Sequence, residues 1–251
     1  MIYDIHVHAR LTDDPLPAAE DLMERGRRLG IEGMLVLGDV LHFGFDPKEE
    51  QIGQINDHTL QVVGEWPEFF HGLCFLNPAN DAGFIAEEME RCLAHPRIRG
   101  VKLEADVNAR KPSLDPIMAE LEKRDAFLLH HAWYKTVQKA HDESNPSDIA
   151  HLAGRWPGVR IVMAHLTAAG PRGVQDIKAH ANVWGDTSGS QPFSAIVEYA
   201  VRELGAARVV YGSDAPGRDF APQLGRIYGA QIGEGERQKI LGANARRLVG
   251  D

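Results

Sequence analysis

The chain has 251 residues, 43% hydrophobic and 25% charged, with a formal net charge of -9 and two cysteines. That balance excludes a disordered or disulfide-built chain, and the acidic excess argues against a nucleic-acid footprint, which needs a basic face. No charge-then-apolar leader precedes the first apolar run, and no run approaches the roughly 18 residues of a membrane span, so a cytoplasmic protein without membrane contact is expected.

The chain opens MIYDIHVHAR, an apolar run over 2–8 that carries His6 and His8. Further apolar runs follow at 33–37, 70–76, 98–104, 126–131, 159–165, 183–186 and 208–214, making eight. Stretches with helical spacing lie between them, among them 18–29, 84–93, 116–123, 149–155 and 196–204. Gly or Pro stands before several runs, in LGIEG, HPRIRG, WPGVR and LGAAR, where helices should end. Continuous apolar runs in strict alternation with helices predict parallel strands, an α/β chain and one (β/α)8 TIM barrel domain over 1–251. A last helix over 234–248 is expected to pack outside the barrel or to close its base. Cys74 and Cys92 fall in separate apolar segments without CxxC spacing and read as buried small residues.

The strand ends carry the chemistry. Alternate strand residues share a face, so His6 and His8 point the same way, about 7 Å apart along the strand. A pair of hydrogen-bonded core histidines is the plain alternative. The fourth run ends GVKLEA with Lys102 and Glu104 in the same relation; the fifth ends LLHHAW, the sixth MAHL with His165, and the eighth VYGSDAP with Asp214. Each places an ionisable group where an apolar strand ends, at the rim on which barrel enzymes build their sites. Burying them separately is costly, and a divalent cation, which accepts imidazole and carboxylate ligands, is the economical tie. In the fifth run only one of His130 and His131 can face the site, because neighbouring strand residues face opposite ways.

With these residues in register, the chain resembles the amidohydrolase superfamily of metal-dependent barrel enzymes. HxH in the first strand, His131, His165 and Asp214 match its pattern in order. GVKL, YGSDAP and ILGANARRL are similar to the amidohydrolase-related branch that contains aminocarboxymuconate-semialdehyde decarboxylase-like enzymes and TIM-barrel hydrolases. The resemblance selects His131 over His130. It implies metal ligands among His6, His8, Glu104, His131, His165 and Asp214, holding one or two ions, with zinc first and manganese or iron as alternatives. One arrangement uses His6, His8, His131 and Asp214 and leaves His165 for the substrate; the others add Glu104 or a carbamylated Lys102 as a bridge. Thr167 departs from the glycine common two positions after the strand-six histidine, and Glu104 from branch members that carry no carboxylate there.

The implied chemistry is hydrolysis of an amide, ester or lactone of a small molecule through an activated water, with Asp214 moving the proton and His165 stabilising the oxyanion. A decarboxylase or hydratase of the same branch is the alternative, and a non-catalytic metabolite- or metal-binding barrel is the third reading. Lys135 and Arg218, just past two strand ends, would hold a substrate carboxylate, with Trp133 as an aromatic wall; solvated loop charges and a packing indole are the plainer readings. Asp186, Thr187 and Ser188 in DTSGSQP form no nucleophile elbow and read as supporting hydrogen bonds. A homo-oligomer is compatible with the sequence.

Overall fold

The computed structural model describes residues 1–14, 16–135 and 142–251. Eight parallel strands occur in the order of the chain: β1 Ile2–Val7, β2 Ile31–Val36, β3 Phe70–Leu76, β4 Ile98–Leu103, β5 Phe127–His130, β6 Arg160–Met163, β7 Val183–Asp186 and β8 Val209–Val210. The sheet closes on itself through Ile5 N to Tyr211 O at 3.0 Å, Asp214 N to His6 O at 2.8 Å and His8 N to Ala215 O at 2.7 Å. This is a (β/α)8 barrel.

Helices α1 Leu16–Arg28, α2 Glu49–Glu65, α3 Ala82–Leu93, α4 Asp115–Arg124, α5 Pro146–Arg155, α6 Leu166–Ile177, α7 Ile196–Leu204 and α8 Phe220–Tyr228 surround it. The strands are apolar on both faces because the helices cover one face and the barrel interior the other. Tyr3, Ile5, Leu35, Leu37, Leu73 and Leu129 fill the interior, whereas Val7, Val36, Val101 and Leu128 pack outward.

Helices α2, α6 and α8, outside the stretches named from the sequence, complete the ring; α8 buries Phe220, Leu224 and Ile227 on one face and α2 buries Ile52, Ile55, Thr59, Val62 and Val63. Helix α6 carries Gly170 and Pro171 across an internal kink, which breaks its periodicity. The last helix also differs from a plain run over 234–248. It is built as α9 Glu234–Gln238, a π-helical turn Lys239–Ala243 and α10 Asn244–Val249. Ala245, Leu248 and Val249 join the interior cluster, so this segment closes the barrel floor. Gly242 permits that approach, since a Cβ there would stand 2.5 Å from Met1 O.

One irregularity in β1 decides where the histidines point. Asp4 pairs with Met34 and Val7 with Val36, so Ile5 and His6 together oppose Leu35 alone. The extra residue is a β-bulge, and it reverses the alternation. Tyr3 and Ile5 face the interior before it; after it Val7 faces outward and His6 and His8 turn in.

Candidate metal centre and active site

Each histidine of the HxH pair has one ring nitrogen committed to an acceptor. His6 Nδ1 donates to Asp186 Oδ2 at 2.8 Å, and His8 Nδ1 donates to Gly38 O at 2.7 Å. With both rings neutral the two Nε2 atoms present lone pairs, and they face each other at 3.1 Å. Asp214 Oδ1 completes the group, 3.7 Å from His6 Nε2 and 3.6 Å from His8 Nε2. Two lone pairs and a carboxylate oxygen so close repel one another unless a cation or a proton lies between them. The donor set, two imidazoles and a carboxylate within 4.8 Å of one another, fits a divalent transition metal.

The electrostatics follow from burial. Burial, then the His6 and Lys102 charges, takes His8 down to about 3, so it is a neutral donor at pH 7. For His6 burial works in the same direction, but the Asp186 carboxylate outweighs it and raises the pKa. Burial raises Asp214, against the lowering effect of His6 and Arg218. Gly212 in the YGSD turn lets β8 run past this group; a Cβ there would meet His6 Cβ at 2.9 Å.

His165 sits beside the group, its ring centroid 5.1 Å from that of His6 and 5.0 Å from that of His131. Its backbone N donates to Asp186 Oδ1 at 3.2 Å, and its Nδ1 lies 2.9 Å from Ser188 Oγ. Asp186 thus holds His6 with one oxygen and the His165 turn with the other. Burial, then the charges of His131 and His6, keeps His165 well below the usual histidine range. His165 and Asp214 are also two of only four non-glycine residues with positive φ among the described residues, both at +65°. Such backbone costs about 1–3 kcal/mol and persists where the surrounding structure imposes it. Thr167, which replaces the expected glycine, ties this turn to β7 by donating from Oγ1 to Ser188 O at 2.8 Å.

The β4 and β5 ends form a separate, charge-paired group. Lys102 Nζ lies 2.6 Å from Glu104 Oε2, and Glu104 Oε1 lies 2.9 Å from His131 Nδ1. His131 Nε2 reaches Glu143 Oε1 at 2.7 Å, which also takes Lys135 Nζ at 2.8 Å. Burial opposes the charge on His131, but Glu104 and Glu143 raise its pKa to about 9. Glu104, despite burial, is held well below the carboxylate range by His131 and Lys102. His131 and Glu104 therefore stand apart from the three-donor group, each bound to an opposite charge. His130 points to the helix side, its Nδ1 on His131 O at 2.7 Å.

A cavity of about 360 Å³ opens over both groups. His8, Glu104, His131, His165 and Asp214 line its floor, and Trp133 forms a wall, 6.2 Å from the His131 ring and 5.4 Å from His165. Lys135 and Arg218 line it as well, joined by Arg10, which the sequence did not single out. Arg218 donates to Gly217 O at 2.7 Å and keeps a buried Nε without a partner among the described residues. Lys135 is engaged with Glu143, and its Nζ stands 5.1 Å from the Trp133 ring centroid. His42 lies apart, paired with Asp39 at 3.2 Å and lining a different cleft, and His141 lies outside the described residues. Glu143 was missed because it stands twelve residues from His131 in sequence and no local pattern pairs the two. Among the described residues no helix is long and apolar enough to cross a membrane.

Known proteins carry the same architecture. Over 82 residues the chain is 37% identical to a 2-amino-3-carboxymuconate-6-semialdehyde decarboxylase of Dictyostelium discoideum, a stretch covering 32% of this chain and 23% of that protein. It is 22% identical to a gamma-resorcylate decarboxylase of Polaromonas sp. over 79% of this chain and 76% of the relative. The crystal structure of a dihydroxybenzoic acid decarboxylase from Polaromonas sp. JS666, with bound manganese and 2-nitroresorcinol, shares the fold at a TM-score of 0.75 and 17% identity, covering 99% and 96% of the two chains. The amidohydrolase family pattern matches residues 3–250, nearly the whole barrel, so this chain belongs to the amidohydrolase family and is an enzyme of that superfamily.

Proposed function

We propose that the chain is a metal-dependent decarboxylase acting on a small, planar, conjugated carboxylate. The observation that carries this is the convergence of His6 Nε2, His8 Nε2 and Asp214 Oδ1, two of whose residues, His8 and Asp214, line a cavity walled by Trp133. Hydrolysis uses the same donors; the decarboxylase names of the relatives favour carbon dioxide release over water addition. Manganese, found in one such relative, stands beside zinc as the metal.

The three donor atoms would hold the cation, which supplies Lewis acidity toward the substrate's oxygen atoms and so draws electron density from the carbon that loses its carboxylate. The remaining work falls to the chain. The reaction replaces a carbon–carboxylate bond by a carbon–hydrogen bond, so one proton must reach that carbon as carbon dioxide leaves. Asp214 lines the cavity and carries a second carboxylate oxygen beyond the Oδ1 of the donor group, which suits a group that takes up a proton and passes it on. His165, neutral and oriented by Ser188 and Asp186, donates or accepts one hydrogen bond at the substrate rather than carrying charge. Trp133 offers a flat face to a conjugated ring. Arg218, with its unpartnered Nε, supplies the cation for an anionic substituent.

The test is a panel of hydroxybenzoates and conjugated dienoic acids with the manganese- and zinc-loaded protein, following carbon dioxide and product mass together. One carbon dioxide per substrate consumed is expected, with Asp214→Asn slowed at least about 100-fold. Products heavier by one water, from esters or lactones and without carbon dioxide, would return the reading to hydrolysis.

A further inference from the structure

We infer that Asp4, two residues before the HxH pair, is the positioning residue that sets the β1 bulge and thereby aims His6 and His8 at the donor site. The inference rests on the proposed metal reading for what the donors bind, though its geometry stands apart from any ion.

A bulge leaves a backbone N–H without its ladder partner. Here that group is His6 N, and it donates to Asp4 Oδ1 at 3.0 Å. The same oxygen accepts Ser213 N, also at 3.0 Å. Ser213 precedes Asp214, so one carboxylate oxygen ties the backbone of one donor to that of another across the β1–β8 seam. Asp214 N then donates to His6 O at 2.8 Å, and Ser213 Oγ to the same oxygen at 3.4 Å. Asp4 itself is wholly buried, points away from the interior and does not line the cavity.

Without an acceptor at this place, two buried N–H groups lose their partner, and the regular alternation of β1 becomes the better-paired state. A regular strand through Ile5 would turn His6 and His8 outward and Val7 inward. The bulge fixes which face the histidines take, and Asp4 stabilises the bulge. The Asp186 carboxylate then fixes the ring of His6 from the other side at 2.8 Å.

The discriminating variants are Asp4→Ala, which removes the acceptor, and Asp4→Asn, whose amide oxygen can still accept both N–H groups. Asn56→Ala is the control. It removes a buried side chain that bonds Phe75 N at 2.7 Å and Phe75 O at 2.9 Å and lies outside the cavity lining. Two quantities are measured: the dissociation constant for Mn2+ by chelator competition, and, in metal-free protein, the downfield resonance of the His6 ring proton held by Asp186. Asp4→Ala should raise the constant about 10- to 100-fold and lose the resonance. Asp4→Asn should keep both within about threefold, and Asn56→Ala should lower the melting temperature while changing neither. If the alanine protein does not fold, Asp4→Glu, which keeps the acceptor but displaces it, should still weaken Mn2+ at least about threefold.

Wild-type affinity and resonance in Asp4→Ala, or equal losses in Asn56→Ala, would overturn the inference. A wild type that takes no Mn2+ would sink the metal reading instead, and the ring-proton signal alone would then decide the role of Asp4.

Discussion

At the C-terminal end of the barrel His6 and His8 turn unshared ring nitrogens toward each other at 3.1 Å. At the N-terminal end His71, equally buried, has Tyr3 Oη at 2.6 Å from one ring nitrogen and Asp251 Oδ1 at 3.5 Å from the other. The floor gives His71 a hydrogen bond at one ring nitrogen and a carboxylate near the other, and it is sealed by α10. The rim leaves lone pairs facing a cavity. The same contrast recurs within the rim, where the β1/β8 donors face one another while Lys102, Glu104, His131, Glu143 and Lys135 alternate in charge. What distinguishes the rim is that its close donors converge on one point beside an open cavity, where a ligand can complete them.

The most damaging way to break this comparison is His6→Ala/His8→Ala. Removing both lone pairs should abolish stoichiometric metal and lower turnover by about a thousandfold or more, because two of the three close donors are gone. The fold should survive, since both changes also relieve a crowded, desolvated pair. Metal content by mass spectrometry, read with far-ultraviolet circular dichroism, checks it. A double variant that keeps one equivalent of metal would move the centre to the His131 side.

The difference between the two ends was only partly visible in the sequence. The eight strands were, because strands covered on both faces are written as continuous apolar runs. The rim residues His6, His8, His165 and Asp214 were, because each polar side chain interrupts such a run at its end. The bulge was not, since it exists only in the register of β1 against β2: Ile5 and His6 opposing Leu35 leaves no mark in IYDIHV. Nor was the partnering of His131. Glu143 lies twelve residues on in sequence, and no local pattern pairs it with His131. Asp4 was legible as a letter, an acid in an apolar run, and could have been weighed with the histidines that follow it.

Glu104→Gln tests the charge-paired half of the rim. Lys102 is wholly buried, and among the described residues its ammonium has, apart from Glu104, only Leu103 O, at 3.1 Å. Neutralising Glu104 leaves a buried positive charge without its counterpart, which should cost roughly 3–5 kcal/mol of stability by urea unfolding. Metal content should not change, because Glu104 stands outside the close donor group. A fall from two equivalents to one would show instead that Glu104 binds a second ion.

The floor gives a smaller effect with an opposite logic. Burial, then the Arg97 charge, lowers His71 to about 4 in the folded chain, against the pull of Asp251, whereas an unfolded histidine titrates near 6.5. Between those two values the unfolded chain binds the extra proton. Stability from this site is therefore complete above about pH 6.5 and is lost as pH falls toward about 4. His71→Gln keeps an acceptor for Tyr3 but does not titrate there. The stability difference between wild type and variant should shrink by about 2–3 kcal/mol from pH 7.5 to pH 4 in metal-free protein. A difference that instead grows in favour of wild type as pH falls would mean that His71 is already charged in the folded state, with Asp251 as its counterion. The floor would then rest on an ion pair, and its contrast with the rim would lie in the kind of partner each end provides.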